Sequence, residues 1–134
     1  MAAASSQAAQ NETGASSVSA ITLQANGTSM KMSLADTEAA AALVELLRSG
    51  PVSASLHSYG GFEKVGELPQ ALPASDEQIT TVPGDVMLYQ GNQITIFYGS
   101  NTWAYTPLGH IEGATAESLL AAFGEGDVTI ELSL

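Results

Sequence analysis

Tyr59-Gly60-Gly61-Phe62-Glu63-Lys64, Leu68-Pro69-Gln70-Ala71-Leu72-Pro73, Gly84-Asp85 and Ile96-Phe97-Tyr98-Gly99 follow one another through the middle of the chain. Short apolar runs around them read as strands, and no complete catalytic set lies among them. The stretch therefore speaks to architecture more than to chemistry. Between Gly60 and Pro83, three prolines (Pro69, Pro73, Pro83) and three glycines (Gly60, Gly61, Gly66) forbid a long regular element. The expectation there is a packed covering loop pinned by Leu68 and Leu72. Long irregular segments in compact domains are also often functional.

Downstream, Val86 to Tyr89 and Gln93 to Tyr98 read as a hairpin about Gly91-Asn92. That turn puts Met87 and Tyr89 on one face with Ile94, Ile96 and Tyr98, and Val86, Leu88 and Phe97 on the other. Apolar side chains on both faces imply a strand pair covered on both sides, or one lining a groove. Leu108 to Ile111 reads as a further short strand. Thr115 caps a short helix carrying Leu119, Leu120 and Phe123, which ends at Gly124. Val128, Ile130, Leu132 and Leu134 alternate with polar residues in a closing strand.

Upstream, Ile21, Leu23 and Ala25 alternate with Thr22 and Gln24, and Met30, Met32 and Leu34 alternate with Ser29, Lys31 and Ser33. Asn26-Gly27 between them favours a two-residue type I′ turn, because both positions tolerate positive φ. With that turn Ala25 faces Thr28, Leu23 faces Met30 and Ile21 faces Met32. A helix follows, capped by Asp36 or Thr37, with Leu43, Leu46 and Leu47 as its core stripe, Arg48 in its last turn and Gly50-Pro51 as its stop. Val52, Ala54 and Leu56 then alternate with Ser53, Ser55 and His57 as a strand. Many short antiparallel strands with two short helices describe a mainly β domain, a small barrel or sandwich. Closure would remove exposed edges, with the last strand pairing near the first.

The chain has 134 residues, room for one domain with a real core. Its 14 acidic and 3 basic residues give a net charge of -11, and the cations Lys31, Arg48 and Lys64 are scattered. Nucleic-acid binding needs clustered Lys and Arg, so nucleic acid is not an expected partner, and anionic membrane surfaces are disfavoured likewise. With no cysteine, disulfides and thiolate metal sites are excluded. No apolar run approaches the ~20 residues that span a bilayer. Residues 1–17, rich in Ala, Ser, Gln and Asn, read as a flexible leader, and residues 18–134 as the folded domain. The leader resembles the tether that follows the lipid-modified cysteine of bacterial surface lipoproteins. That resemblance implies an extracytoplasmic protein, tethered or secreted, with a signal peptide upstream of Met1. An ordinary terminus on a cytoplasmic protein is the alternative.

The order of strand hairpin, Ala/Leu helix, Tyr59…Glu63-Lys64, Leu68-Pro69…Leu72-Pro73, Gly84-Asp85, Ile96-Phe97-Tyr98-Gly99 and Leu108-Gly109 resembles the bacterial and archaeal cyclophilin-like domain family over about Ala20 to Leu134. The resemblance implies a small closed antiparallel β-barrel with helices at its ends. It also implies that relatives are attached to flavodoxin-like domains or carried at the cell surface, and it implies no particular reaction. True cyclophilins bind prolyl peptides in a groove shaped by Phe, Gln, Trp and His, where an arginine polarises the prolyl amide. The one arginine here, Arg48, falls at a helix end, and Lys64 lacks the planar fork of donors. The expectation is a non-catalytic module.

His57 and His110 lack metal-ligand spacing, so no metal or other cofactor is expected, and both read as strand residues. Glu63 and Lys64, adjacent on an extended strand, point to opposite sides; Glu63 is expected to accept loop amide hydrogen bonds, and Asp85 to organise its turn. Seven of the eight aromatics (Tyr59, Phe62, Tyr89, Phe97, Tyr98, Trp103 and Tyr105) cluster in the middle of the chain, with Trp103 in a polar loop setting. Such residues fill a core or line a groove for a small ligand or peptide. Tyr59, Glu63, Tyr98 and Trp103 are the candidate groove residues, with no catalytic residue assigned. Two alternatives stand beside this reading: a divergent prolyl isomerase using the same groove, and an accessory domain docking on a flavodoxin-like or surface partner.

Overall fold

The computed structural model describes residues 18–134; the leader expected over residues 1–17 lies outside them. The first hairpin joins β1 (Ala20–Ala25) to β2 (Thr28–Leu34), with Leu23 opposite Met30 and Ile21 opposite Met32 as the Asn-Gly turn requires. Asn26 and Gly27 both take positive φ, 49° and 80°. The Asn26 amide also donates to the carbonyls of Ala122 and Phe123, tying this turn to the last turn of the second helix. Helix α1 (Glu38–Arg48) is capped by Thr37, whose hydroxyl accepts from the Ala40 amide at 3.1 Å and donates to the Pro107 carbonyl at 2.8 Å. It buries Ala39, Leu43 and Leu47 in the core.

Strand β3 (Val52–Tyr59) leads into β4 (Glu63–Glu67) through a glycine turn. The segment expected to be irregular from Gly60 to Pro83 thus contains β4, and also β5 (Glu77–Thr80). Its prolines confine the irregular part to the span between these strands. There the expected covering loop exists: Leu68 and Leu72 are buried, and their amides bond the carbonyls of Asn92 and Gly91.

The second hairpin, β6 (Asp85–Tyr89) and β7 (Gln93–Phe97), departs from expectation in register. Its loop has three residues, Gln90 to Asn92, with Gln90 at φ 55° and Gly91 at φ 79°, so Tyr89 pairs with Gln93. A one-residue shift sends side chains to the other face. Val86 and Leu88 therefore join Ile94 and Ile96 in the main core, while Met87 shares a second cluster with Phe97. The strand expected at Leu108–Ile111 is the end of a ten-residue strand, β8 (Thr102–Ile111), so Trp103 lies on a strand and not in a loop. Helix α2 (Ala116–Phe123), with a Thr115–Ser118 capping box, and β9 (Val128–Ser133) complete the chain.

The sheet runs β2-β1-β9-β3-β4-β7-β6-β8, and β2 pairs back onto β8. Among the described residues this is a closed eight-stranded antiparallel barrel, mainly β, with two helices. The last strand pairs with the first, Leu132 opposite Leu23. Residues of β1, β3, β6, β7, β8 and β9 fill the barrel together with Leu43, Leu47, Leu119 and Phe123 from the helices. β5 stands outside the ring, paired only to the first half of β8. Its Ile79 and the outward residues Met87, Phe97 and Tyr105 form a small second cluster on the wall. Both faces of β7 are consequently buried, Ile94 and Ile96 inward and Phe97 outward. No helix among the described residues is long and apolar enough to cross a membrane.

Candidate functional site

The outer face of the wall carries a groove of about 690 Å³ between the β3–β4 turn and the projecting start of β8. Its position follows from pairing. Residues registered across neighbouring strands share a face, so Tyr59 lies beside Glu63, and Glu63 beside Phe97. His57 lies beside Val65, and Val65 beside Thr95. Tyr89, Gln93, Asn101, Trp103 and Tyr105 complete the lining.

The rings form a chain across the wall. Tyr59 meets Phe62 edge-on at 6.1 Å, Phe62 stacks on Phe97 at 6.3 Å, Phe97 meets Tyr105 edge-on at 5.3 Å, and Tyr105 meets Tyr89 at 6.1 Å. The turn before Phe62 depends on Gly60 (φ 65°), where a Cβ would fall 2.2 Å from the Phe62 ring. The Phe62 carbonyl, in turn, accepts the amides of Tyr98 and Gly99 at 3.0 Å each. Asn101 is held to Thr81 by its amide and carbonyl, and its side chain donates to the Tyr105 hydroxyl at 2.9 Å.

Of the four residues singled out in the sequence, three border this groove. Tyr59 and Trp103 stand at its mouth, 62% and 55% exposed, while Glu63 lies at its floor, 6% exposed. Tyr98 does not join them. It shares the inward face with Ile94 and Ile96 and packs against the main core. Phe62, Tyr89 and Tyr105 enter the sequence-based candidates only as members of the aromatic cluster, and Gln93 and Asn101 not at all, because the pairing that brings β6, β7 and β8 beside β4 is announced by no local pattern. His57, read simply as a polar-face strand residue, is exposed and belongs to the groove lining.

Glu63 departs from its expected role. No loop amide donates to its carboxyl; among the described residues the group has no hydrogen-bond partner. Burial alone pushes it up to about 7, because a desolvated carboxylate disfavours charge. The Tyr105 hydroxyl is also raised, chiefly by burial, with the nearby Glu63 charge adding to the shift and the Asn101 hydrogen bond opposing it. Lys64 points the other way as expected: it is fully buried opposite Ile96, and its ammonium donates to the Gly126 carbonyl. Arg48 lies in the last turn of α1, 3.0 Å from Glu45, and is not part of the groove lining.

Two other polar groups lie outside the groove. His110 Nδ1 is 2.8 Å from the Asp85 carboxylate, whose second oxygen accepts the Val82 amide. Asp85 thus organises its turn as expected and also orients His110. Among the described residues, no three His, Asp or Glu side chains gather as metal ligands.

The cyclophilin-like family model matches residues 23–133. The solution structure of a hypothetical protein from Archaeoglobus fulgidus superposes with a TM-score of 0.58 at 13% identity, over 85% of this chain and 92% of that one. At that identity the likeness concerns the fold alone. No curated protein matches the sequence. A closed barrel of this strand order, with the family match running from β1 to β9, places the chain in the cyclophilin-like family.

Proposed function

We propose that the protein is a non-catalytic binding module that takes a small ligand or a peptide segment into the outer-wall groove. The observation that carries this reading is the pair of exposed aromatics, Tyr59 and Trp103, flanking a concave, ring-lined space of about 690 Å³. That volume lies within the usual range of ligand pockets. Aromatic faces with polar tips suit a ligand that is partly apolar and partly hydrogen-bonding. Phe62, Gln93, Trp103 and His57 line it, the residue types that shape a prolyl-peptide groove, but Arg and Lys are absent from its lining. A carboxyl at the floor cannot donate the guanidinium hydrogen bonds that polarise a prolyl amide, which favours binding over isomerisation.

The test is amide-shift mapping with prolyl peptides and small aromatic compounds, alongside a prolyl-isomerisation assay at high protein concentration. Shifts clustered on Tyr59, Glu63, Trp103 and Tyr105 without acceleration support the module. Shifts dispersed over the barrel defeat the site, and acceleration that Trp103→Ala abolishes restores the isomerase alternative.

A further inference from the structure

We propose that the groove selects an organic ammonium: a positively charged amine carried on an apolar or aromatic body, seated over Glu63. This rests on the groove being a binding site and names the chemistry it would recognise. Three observations converge. First, Glu63 is 6% exposed, borders the groove and has no hydrogen-bond partner among the described residues. An unpaired buried carboxyl is costly to ionise, and a ligand cation supplies what the chain does not. Second, the chain's own cations are engaged elsewhere. Lys31 lies 3.9 Å from Glu112, Arg48 pairs with Glu45, and Lys64 is turned to the opposite side of β4 with its ammonium on the Gly126 carbonyl.

Third, rings share the face of the wall that carries the carboxyl. Phe97 is its cross-strand neighbour, Tyr59 its partner on the other side, and Tyr105 and Trp103 border the same space. Ring faces attract cations through their quadrupole, the more so when water is displaced. A neutral ligand would desolvate Glu63 further and leave it unpaired. An anion would meet that carboxyl on a chain of net charge -11, whose long-range field favours cations. The burial that raises the Glu63 carboxyl to about 7 is consistent with a group lacking a counter-ion, and an ammonium would draw it back toward ionisation.

The experiment titrates the full chain with benzylamine, benzyl alcohol and benzoate, following fluorescence of Trp103, the chain's single tryptophan, and the amide shifts of the groove strands. At pH 8 benzylammonium is expected to bind at least about tenfold tighter than benzyl alcohol, with benzoate weakest. Glu63→Gln should lower the benzylammonium affinity toward that of benzyl alcohol, removing most of the preference. Affinity for the ammonium should fall as pH drops from 8 to 5.5, approaching about tenfold per unit once Glu63 is mostly protonated. The titratable groups sharing the groove are His57 and Tyr59 of β3, Tyr89 of β6 and Tyr105 of β8. Because an imidazole also titrates near neutrality, the pH series is repeated on His57→Gln, where the slope should survive. Equal binding of amine and alcohol, or a preference that persists undiminished in Glu63→Gln, overturns the ammonium assignment while the groove stands. If none of the three probes binds, both the assignment and the groove reading fall.

Discussion

Glu63 stands directly opposite Phe97 in the β4–β7 ladder, so a carboxyl shares the outer face of the wall with a ring that has no solvent exposure. The pairing places an ionisable group where water cannot solvate it fully. Between about pH 4.5 and pH 7 its protonated form is favoured in the folded chain and its charged form in the unfolded chain.

This gives a signed pH dependence. The folded value, about 7, lies above the ordinary 4.5. The associated stability is therefore present below about pH 4.5 and lost as pH rises through 7. Glu63→Gln carries no charge, so relative to wild type it should gain about 1–3 kcal/mol between pH 4.5 and pH 8. Urea denaturation at both pH values measures the difference; a constant offset would contradict the burial argument.

Trp103 and Phe97 should respond oppositely to truncation. Phe97 is fully buried between Phe62 and Tyr105, and Phe97→Ala should cost about 3–5 kcal/mol. Trp103 is 55% exposed, and Trp103→Ala should change stability by no more than about 0.5 kcal/mol. Denaturation midpoints at pH 7 test the pair. A large loss in Trp103→Ala would mean that its ring supports the fold, not the groove mouth.

Barrel closure depends on Gly109. A Cβ there would lie 2.1 Å from the Ser33 carbonyl, at the point where β2 pairs with β8. Backbone on both sides is held in the ladder, so Gly109→Ala should cost about 2 kcal/mol or more. Gly126→Ala, with no neighbour within 4 Å, is the control and should be nearly neutral. Equal midpoints for the two variants would show that the closing strands can spread without cost.

Thr37 does two jobs with one hydroxyl, capping α1 and bonding Pro107 of β8. Thr37→Ala should lose about 1–2 kcal/mol, while Thr37→Ser should keep most of it. Thermal melts of the two variants separate the hydroxyl's contribution from that of the methyl group.

How far the sequence could be read depended on the range of the interaction involved. Asn26-Gly27 determined the first hairpin and its register, because two consecutive positive-φ positions admit few turns. The cap at Thr115, the stops at Gly50-Pro51 and Gly124, and the alternation in β3 and β9 were likewise local and legible, while the choice of Thr37 over Asp36 as the first cap was made by the structure. The Gln90–Asn92 loop was not. Gln90 takes positive φ, which its residue type does not announce, and the extra loop residue reversed the faces of the hairpin.

That one residue also bears on the site. It turns Met87, Tyr89 and Gln93 outward with Phe97 and leaves Tyr98 inward with Ile94 and Ile96. The sequence by itself thus determined the first hairpin, both helices, β3 and β9, because periodicity, caps and turn chemistry act over a few residues. The closed barrel was implied by the family resemblance, while β4, β5 and the first half of β8 went unread. Only the tertiary structure decided the groove. His57, Glu63, Tyr89 and Tyr105 share one face because the β3–β4 and β6–β8 pairs are joined through β7, and that same packing leaves Glu63 buried without a hydrogen-bond partner among the described residues.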